Sequence, residues 1–227
     1  MRILAVSDTE EKAIWDYFDK ERLGEIDLII SCGDLSWNYL DFLQSMLNCP
    51  LLYVRGNHDG DYDRNPPPGG TSIDGRVYNF EGLRIVGLGG AMSYRQDPDL
   101  FTEREMRARV NKLIPQISFM NGFDLFVTHS PVLGYGDLED FAHRGYQVFN
   151  EVLNKYHPKL MLHGHVHKQY GHFQREREHP SGTKIINASG YYIIELDKQM
   201  YPEKGKTGSF LYDMITAMRS RNDTFDR

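Results

Sequence analysis

The sequence predicts an α/β fold in which a mainly parallel sheet is covered by helices and a second sheet packs on the first. Three observations predict it. Brief, branched apolar runs alternate with longer mixed segments, the rhythm of strands joined by helices. Two stretches break that rhythm with hairpin-like spacing, which calls for a second sheet, mixed or antiparallel. The apolar runs also end, one after another, in carboxylates, an amide and imidazoles, as strand ends sharing one functional edge do.

Taken in order, Ile3–Val6, Leu28–Ile30, Leu51–Val54, Leu125–Val127 and Leu160–Leu162 have the short, branched character of buried strands. Helices are expected between them over Glu11–Asp19, Trp37–Leu47, Glu103–Met120 and Arg144–Tyr156. Arg76–Phe80 and Leu83–Leu88, parted by Glu81 and Gly82, read as a hairpin; Tyr170–Arg175, Lys184–Asn187 and Tyr191–Leu196 read as further strands. RNPPPGG at 64–70 is a loop, because its prolines fix φ and remove donors while glycines follow. From Met200 the chain turns polar, with a helix expected near Gly208–Met218. The expected organisation is one domain over residues 1–199 and a polar extension over 200–227.

A chain of 227 residues suits one large domain, which buries enough apolar surface to fold without a disulfide or structural metal. The net charge of −6 argues against a nucleic-acid backbone or an anionic membrane as partner, since both select a basic patch. Only Cys32 and Cys49 are present, with no CxxC pair, so neither a thiolate zinc site nor a disulfide framework is expected. MRILAVSD is too short an apolar run for a signal peptide, and no stretch approaches a membrane span; a cytoplasmic protein is expected. The sequence does not specify an oligomeric state.

The chemistry gathers at the strand ends. The first run ends in Asp8 and Glu10, LIISCGD in Asp34, and LLYVRGNHD in Asn57, His58 and Asp59. DLFVTHS ends in His129, and KLMLHGHVH in His163, His165 and His167. Singly, each has a plain structural explanation. Asp8 fits a helix N-cap in SDTE, and the GD and GNHD stretches suit tight turns. His165 and His167, two apart in an extended segment, point the same way, as paired ligands do. Histidine is also the commonest metal ligand. Five such endings in succession are not explained by caps and turns.

This ordered set, D-x-E, GD, GNHD, H and GHVH, resembles the calcineurin-like metallophosphoesterase superfamily from Asp8 to His167. THSPVLGYGDLEDFAHRGYQVF further resembles small bacterial members of it. The resemblance implies a four-layer α/β/β/α sandwich with two mixed sheets and a dinuclear metal cleft at the C-terminal edge of the strands. It implies two divalent ions. Asp8 and His167 would hold the first, Asp34 would bridge, and Asn57, His129 and His165 would hold the second. Imidazole and carboxylate without thiolate suit Mn²⁺, Fe or Zn²⁺. The implied reaction is metal-dependent hydrolysis of phosphoric esters by a metal-bridging hydroxide, with His58 assisting the leaving group and Asp59 orienting its ring.

One position departs from the family pattern: Glu10 stands where D-x-H has histidine. Direct ligation, ligation through a water, and a turn away into the following helix are all open to it; ligation by its oxygens would favour Mn²⁺. Tyr94, Arg95, His143 and Arg144 are candidate contacts to a small phosphorylated substrate, each also readable as a surface residue. His157, His172 and His179 read as solvated, and His163 as a core or supporting residue. The absence of a GDxVDRG element, with GDLSWNYL in its place, favours phosphodiesters over phosphoproteins. Two alternatives remain: a phosphomonoesterase on a small metabolite or nucleotide, and a non-catalytic module like the phosphoesterase-like subunit of retromer.

Overall fold

The computed structural model describes residues 1–169 and 173–222. Its first sheet contains β1 (Arg2–Ser7), β2 (Leu28–Ser31), β3 (Leu51–Tyr53) and β4 (Thr71–Ser72). The second contains β5 (Arg76–Phe80) and β6 (Leu83–Leu88). β7 (Ala91–Met92) and β8 (Leu100–Phe101) pair in a small parallel ribbon. β9 (Leu125–Thr128), β10 (Leu160–His163), β11 (Glu176–Glu178) and β12 (Lys184–Asn187) join the second sheet, and β13 (Gly190–Glu195) returns to the first. The helices are α1 (Lys20–Leu23), α2 (Trp37–Leu47), α3 (Glu103–Phe119), α4 (Gln147–Tyr156) and α5 (Phe210–Asn222).

Both sheets are mixed. The first runs β13-β1-β2-β3-β4, with β13 antiparallel to β1 and the other neighbours parallel. The second runs β11-β12-β10-β9-β6-β5, parallel through its centre and antiparallel at both edges.

The period of two along each strand builds the layers. Ile3 and Ala5 face Leu125, Val127 and Leu162 in a core between the sheets. Leu4 and Val6 point the other way and pack with Tyr39, Leu40 and Leu43 of α2. Phe126 and Met161 face α3 and α4 through Val110, Leu113, Phe149 and Leu153. Three apolar interfaces therefore separate four layers, the α/β/β/α sandwich expected. Truncating a residue such as Leu125, wholly buried between the sheets, to Ala removes about 2–5 kcal/mol.

Three expectations need correction. The helix expected over Glu11–Asp19 is a single 3₁₀ turn, Lys12–Ile14, followed by the one-turn α1. Its aromatic and Asp residues are poor helix formers, and Asp19 starts α1 by accepting from the Glu21 amide. Trp15 instead lies tilted on Tyr39 and stacked on Phe42 of α2, and Phe18 packs edge-on against Phe42. The helix expected from Arg144 begins at Gln147, because the Glu103 carboxylate, reaching across from α3, accepts from the Gln147 and Val148 amides. The strand expected over Tyr170–Arg175 enters residues outside those described, as does His172; the described strand there is Glu176–Glu178.

Candidate metal centre

The parallel strands β1, β2, β3, β9 and β10 present their C-terminal ends to one edge, and the chemistry-bearing residues follow within a few positions. Backbone geometry sharpens the turns there. Asp8, Asp34 and His165 all take left-handed φ, at 63°, 58° and 67°. The other left-handed non-glycine residues among those described lie elsewhere: Asn48 and His157 end helices, and Glu81 and Asn121 lie in turns. Such φ values disfavour side chains with a Cβ and persist where the surroundings enforce them. The segment with His165 is thus a tight turn, with the Val166 amide donating to the Gly164 carbonyl, and not the extended stretch expected.

Close approach of the three loops also demands glycine. A Cβ on Gly33 would collide with the Gly56 nitrogen, and one on Gly164 would collide with Ser7 Oγ. The glycines of GD, GNHD and GHVH let the ligand-bearing backbones touch.

Asp34, His129 and His165 offer ligand atoms within 4.8 Å of one another. His129 is wholly buried. Its Nδ1 lies 2.8 Å from the Cys32 carbonyl, so Nδ1–H donates there and Nε2 faces inward. Nε2 meets Asn57 Oδ1 at 3.0 Å and Asp34 Oδ2 at 3.4 Å. Three lone-pair donors thus converge on one point and require a shared cation: a proton, or a metal. Without the metal the proton is held tightly. Burial opposes the imidazolium, but the Asp34 carboxylate outweighs it and raises His129 to about 9. Reciprocally, Asp34 is held well below the usual carboxylate range despite its burial.

Asp8 completes the picture. Its Oδ1 accepts from the His165 amide at 2.8 Å, which rules out the helix-cap reading. Its Oδ2 is buried with no hydrogen-bond partner, and burial pushes the group up to about 7. An orphaned buried carboxylate oxygen beside inward-facing imidazole nitrogens fits a divalent cation. His165 Nε2 donates to the Ala142 carbonyl at 2.8 Å, which leaves Nδ1 for a ligand. The His129 and His165 rings are 4.9 Å apart, and burial lowers His165, as it does the half-buried His167. The donor set is oxygen and nitrogen, with no thiolate among its side chains.

The remaining predicted residues divide. His58 is exposed at the rim, its backbone amide donating to Asp34 Oδ1 at 2.8 Å. Glu10 is exposed too; its Oε1 accepts from the Ser36 amide at the start of α2. Asp59 does not reach the His58 ring through these bonds. Its Oδ2 accepts from the Asp34 and Gly56 amides, tying the GD and GNHD turns together, and burial raises it to about 6. His143 stacks 5.0 Å from His165 with Nδ1 on Asp140, and Arg144 follows it. Tyr94 and Arg95 pack on each other, with Arg95 on Asp97. His163 is buried, and burial lowers it to about 4.

The sequence did not disclose the carbonyls of Cys32 and Ala142, which orient His129 and His165, because backbone groups leave no residue-type signal. Nor did it single out Phe141, although a phenylalanine inside the acidic stretch LEDFAHRG was a readable anomaly.

Two mixed sheets presenting such a cluster at a shared strand edge define a metal-dependent enzyme of the layered α/β class. Residues 1–169 match the family model of the calcineurin-like phosphoesterases, and the chain belongs to that family: it is a metallophosphoesterase. It is 24% identical over 224 residues to UPF0046 protein K07C11.7 of Caenorhabditis elegans, covering 83% of this chain and 69% of that one. Among solved structures, TT1561 of Thermus thermophilus superposes with a TM-score of 0.54 at 14% identity over 83% of this chain and 89% of that one. Another solved chain superposes with a TM-score of 0.62 at 13% identity, covering 88% of this chain and 96% of that one. Likeness at these identities speaks to the fold. Among the described residues no helix is long and apolar enough to cross a membrane.

Proposed function

We propose that this metallophosphoesterase hydrolyses phosphodiesters with two divalent ions, Mn²⁺ being preferred. One observation carries the diester reading: two separate hollows lie beside the site, one lined by Asp34 itself and the other by the segment whose Ala142 carbonyl accepts from His165. One, of about 360 Å³, lies beside His58 and is lined by Asp34, Trp37, Asp61 and Tyr62. The other, of about 290 Å³, lies beside Arg144 with Met92, Leu133 and Phe141. A diester has two substituents to place; a monoester has one. A monoester dianion would also call for cationic partners, yet Arg144 is the one Arg or Lys among the described residues lining these hollows.

In this reading Asp8 and His167 would hold the first ion, Asp34 would be shared by both, and Asn57, His129 and His165 would hold the second. Glu10 would offer Oε2 to the first, its Oε1 being engaged by the Ser36 amide. Bound there, the ions supply Lewis acidity and an activated water at neutral pH. The protein does the rest. Cys32 and Ala142 fix the two imidazoles with their lone pairs inward, and Asp59 fixes the turn that carries Asp34. His58, positioned by its amide on Asp34, delivers a proton to the departing alcohol oxygen. The water oxygen ends on phosphorus, and the alcohol leaves protonated.

The test is paired hydrolysis of bis-p-nitrophenyl phosphate and p-nitrophenyl phosphate with Mn²⁺ supplied. The diester should be hydrolysed with the larger kcat/KM. A large preference for the monoester overturns the diester reading.

A further inference from the structure

We infer that the hollow beside Arg144 receives the ester substituent that stays on phosphorus, and that this substituent is a flat apolar or aromatic group. The inference rests on the phosphodiesterase reading above. A neighbouring hollow of about 350 Å³ shares Leu133, Phe141 and Arg144 with the first, so the two adjoin.

The segment 141–144 joins this groove to the metal centre. The Ala142 carbonyl accepts from His165, and the His143 ring lies against it. The residues on either side, Phe141 and Arg144, line both hollows. A substituent seated there is therefore adjacent to phosphorus held at His165. Phe141 is 54% exposed, a large apolar side chain left in water at the mouth of a catalytic groove. Its loop is not slack: Asp137 accepts from the Gly134 and Gly145 amides, and Asp140 from His143. An aromatic surface held in place on a stapled loop is preorganised for a flat partner.

Both sides carry acidic residues, Glu103, Asp137 and Glu139 on this one, but only this one has a cation, Arg144, among its described lining residues. A diester keeps one negative charge, which Arg144 can meet. The His58 side carries Asp34, Asp59 and Asp61 with Trp37 and no Arg or Lys among its described lining residues. That side repels an anionic leaving group and accepts a neutral or cationic alcohol. Phe141 and Arg144 together therefore assign the retained apolar substituent, with the phosphate it stays on, to the Arg144 side.

The experiment compares p-nitrophenyl phenyl phosphate with p-nitrophenyl methyl phosphate, which share a leaving group. The phenyl ester should have a kcat/KM higher by roughly ten-fold or more, the usual worth of an apolar contact in a specificity pocket. Phe141→Ala should collapse that ratio, while Tyr17→Ala, exposed elsewhere, should preserve it. Calorimetry should show phenyl phosphate binding the Mn²⁺-loaded protein more tightly than methyl phosphate, again with the difference lost in Phe141→Ala. Equal hydrolysis of the two diesters, or a ratio untouched by Phe141→Ala, overturns the pocket assignment and leaves the diesterase reading standing. Hydrolysis of neither diester overturns the reading itself.

Discussion

The strand-end cluster and the loop over residues 133–145 meet at the Ala142–His165 hydrogen bond and are built on opposite plans. At the strand ends, every candidate ligand stands within a few residues of a largely buried strand, and three sit in left-handed backbone where glycines allow the loops to touch. The loop has no such anchor. It is held by two carboxylates of its own, Asp137 and Asp140, and it exposes an aromatic ring. In the proposed reading, chemistry sits on the buried, sterically confined part and recognition on the exposed loop that sequence change can remodel.

The comparison breaks most sharply at Asp34. Asp34→Asn keeps the shape and removes the charge that pairs with His129 and, in the proposed reading, would bridge the ions. Turnover should fall about 10³-fold or more, with bound metal lost in elemental analysis. His58→Ala should lower kcat by roughly 10²-fold while metal content stays at the wild-type value, because His58 touches the site through its backbone amide. A parallel loss of metal would show that its side chain is a ligand.

Smaller effects sharpen the same contrast. Asp59→Ala leaves the Asp34 and Gly56 amides without their acceptor, and chemical denaturation should show about 2 kcal/mol less stability. Glu10→Gln is the finest probe. The amide oxygen can still accept from Ser36, so stability should shift by about 0.5 kcal/mol or less. Mn²⁺ affinity should weaken about ten-fold. Unchanged Mn²⁺ affinity would make Glu10 a cap for α2 and nothing more.

Much of the strand-end half was legible because chain order and space coincide there: an apolar run stops, and the polar residues that follow are the cluster. What tertiary structure added was orientation. Asp8 lost its helix-cap reading only when its oxygen was seen on the His165 amide, and Asp59 moved from the His58 ring to two backbone amides. The Glu11–Asp19 helix failed because aromatic packing on α2 outweighed a weak local preference. The groove was not legible, since Met92 and Glu103 lie far in the chain from Leu133 and Phe141 and meet them only through folding. His143 and Arg144 were named by location alone.

The central claim is that the strand-end cluster is a divalent-metal centre for phosphoester hydrolysis, and titrating metal into chelator-stripped protein tests it most directly. Hydrolysis of bis-p-nitrophenyl phosphate should be absent without metal, rise with added Mn²⁺ and saturate near two equivalents per chain. The thermal midpoint should climb alongside it as the ions bind the native state. Activity indifferent to chelation, or no hydrolysis of diester or monoester with Mn²⁺ bound, would contradict the account.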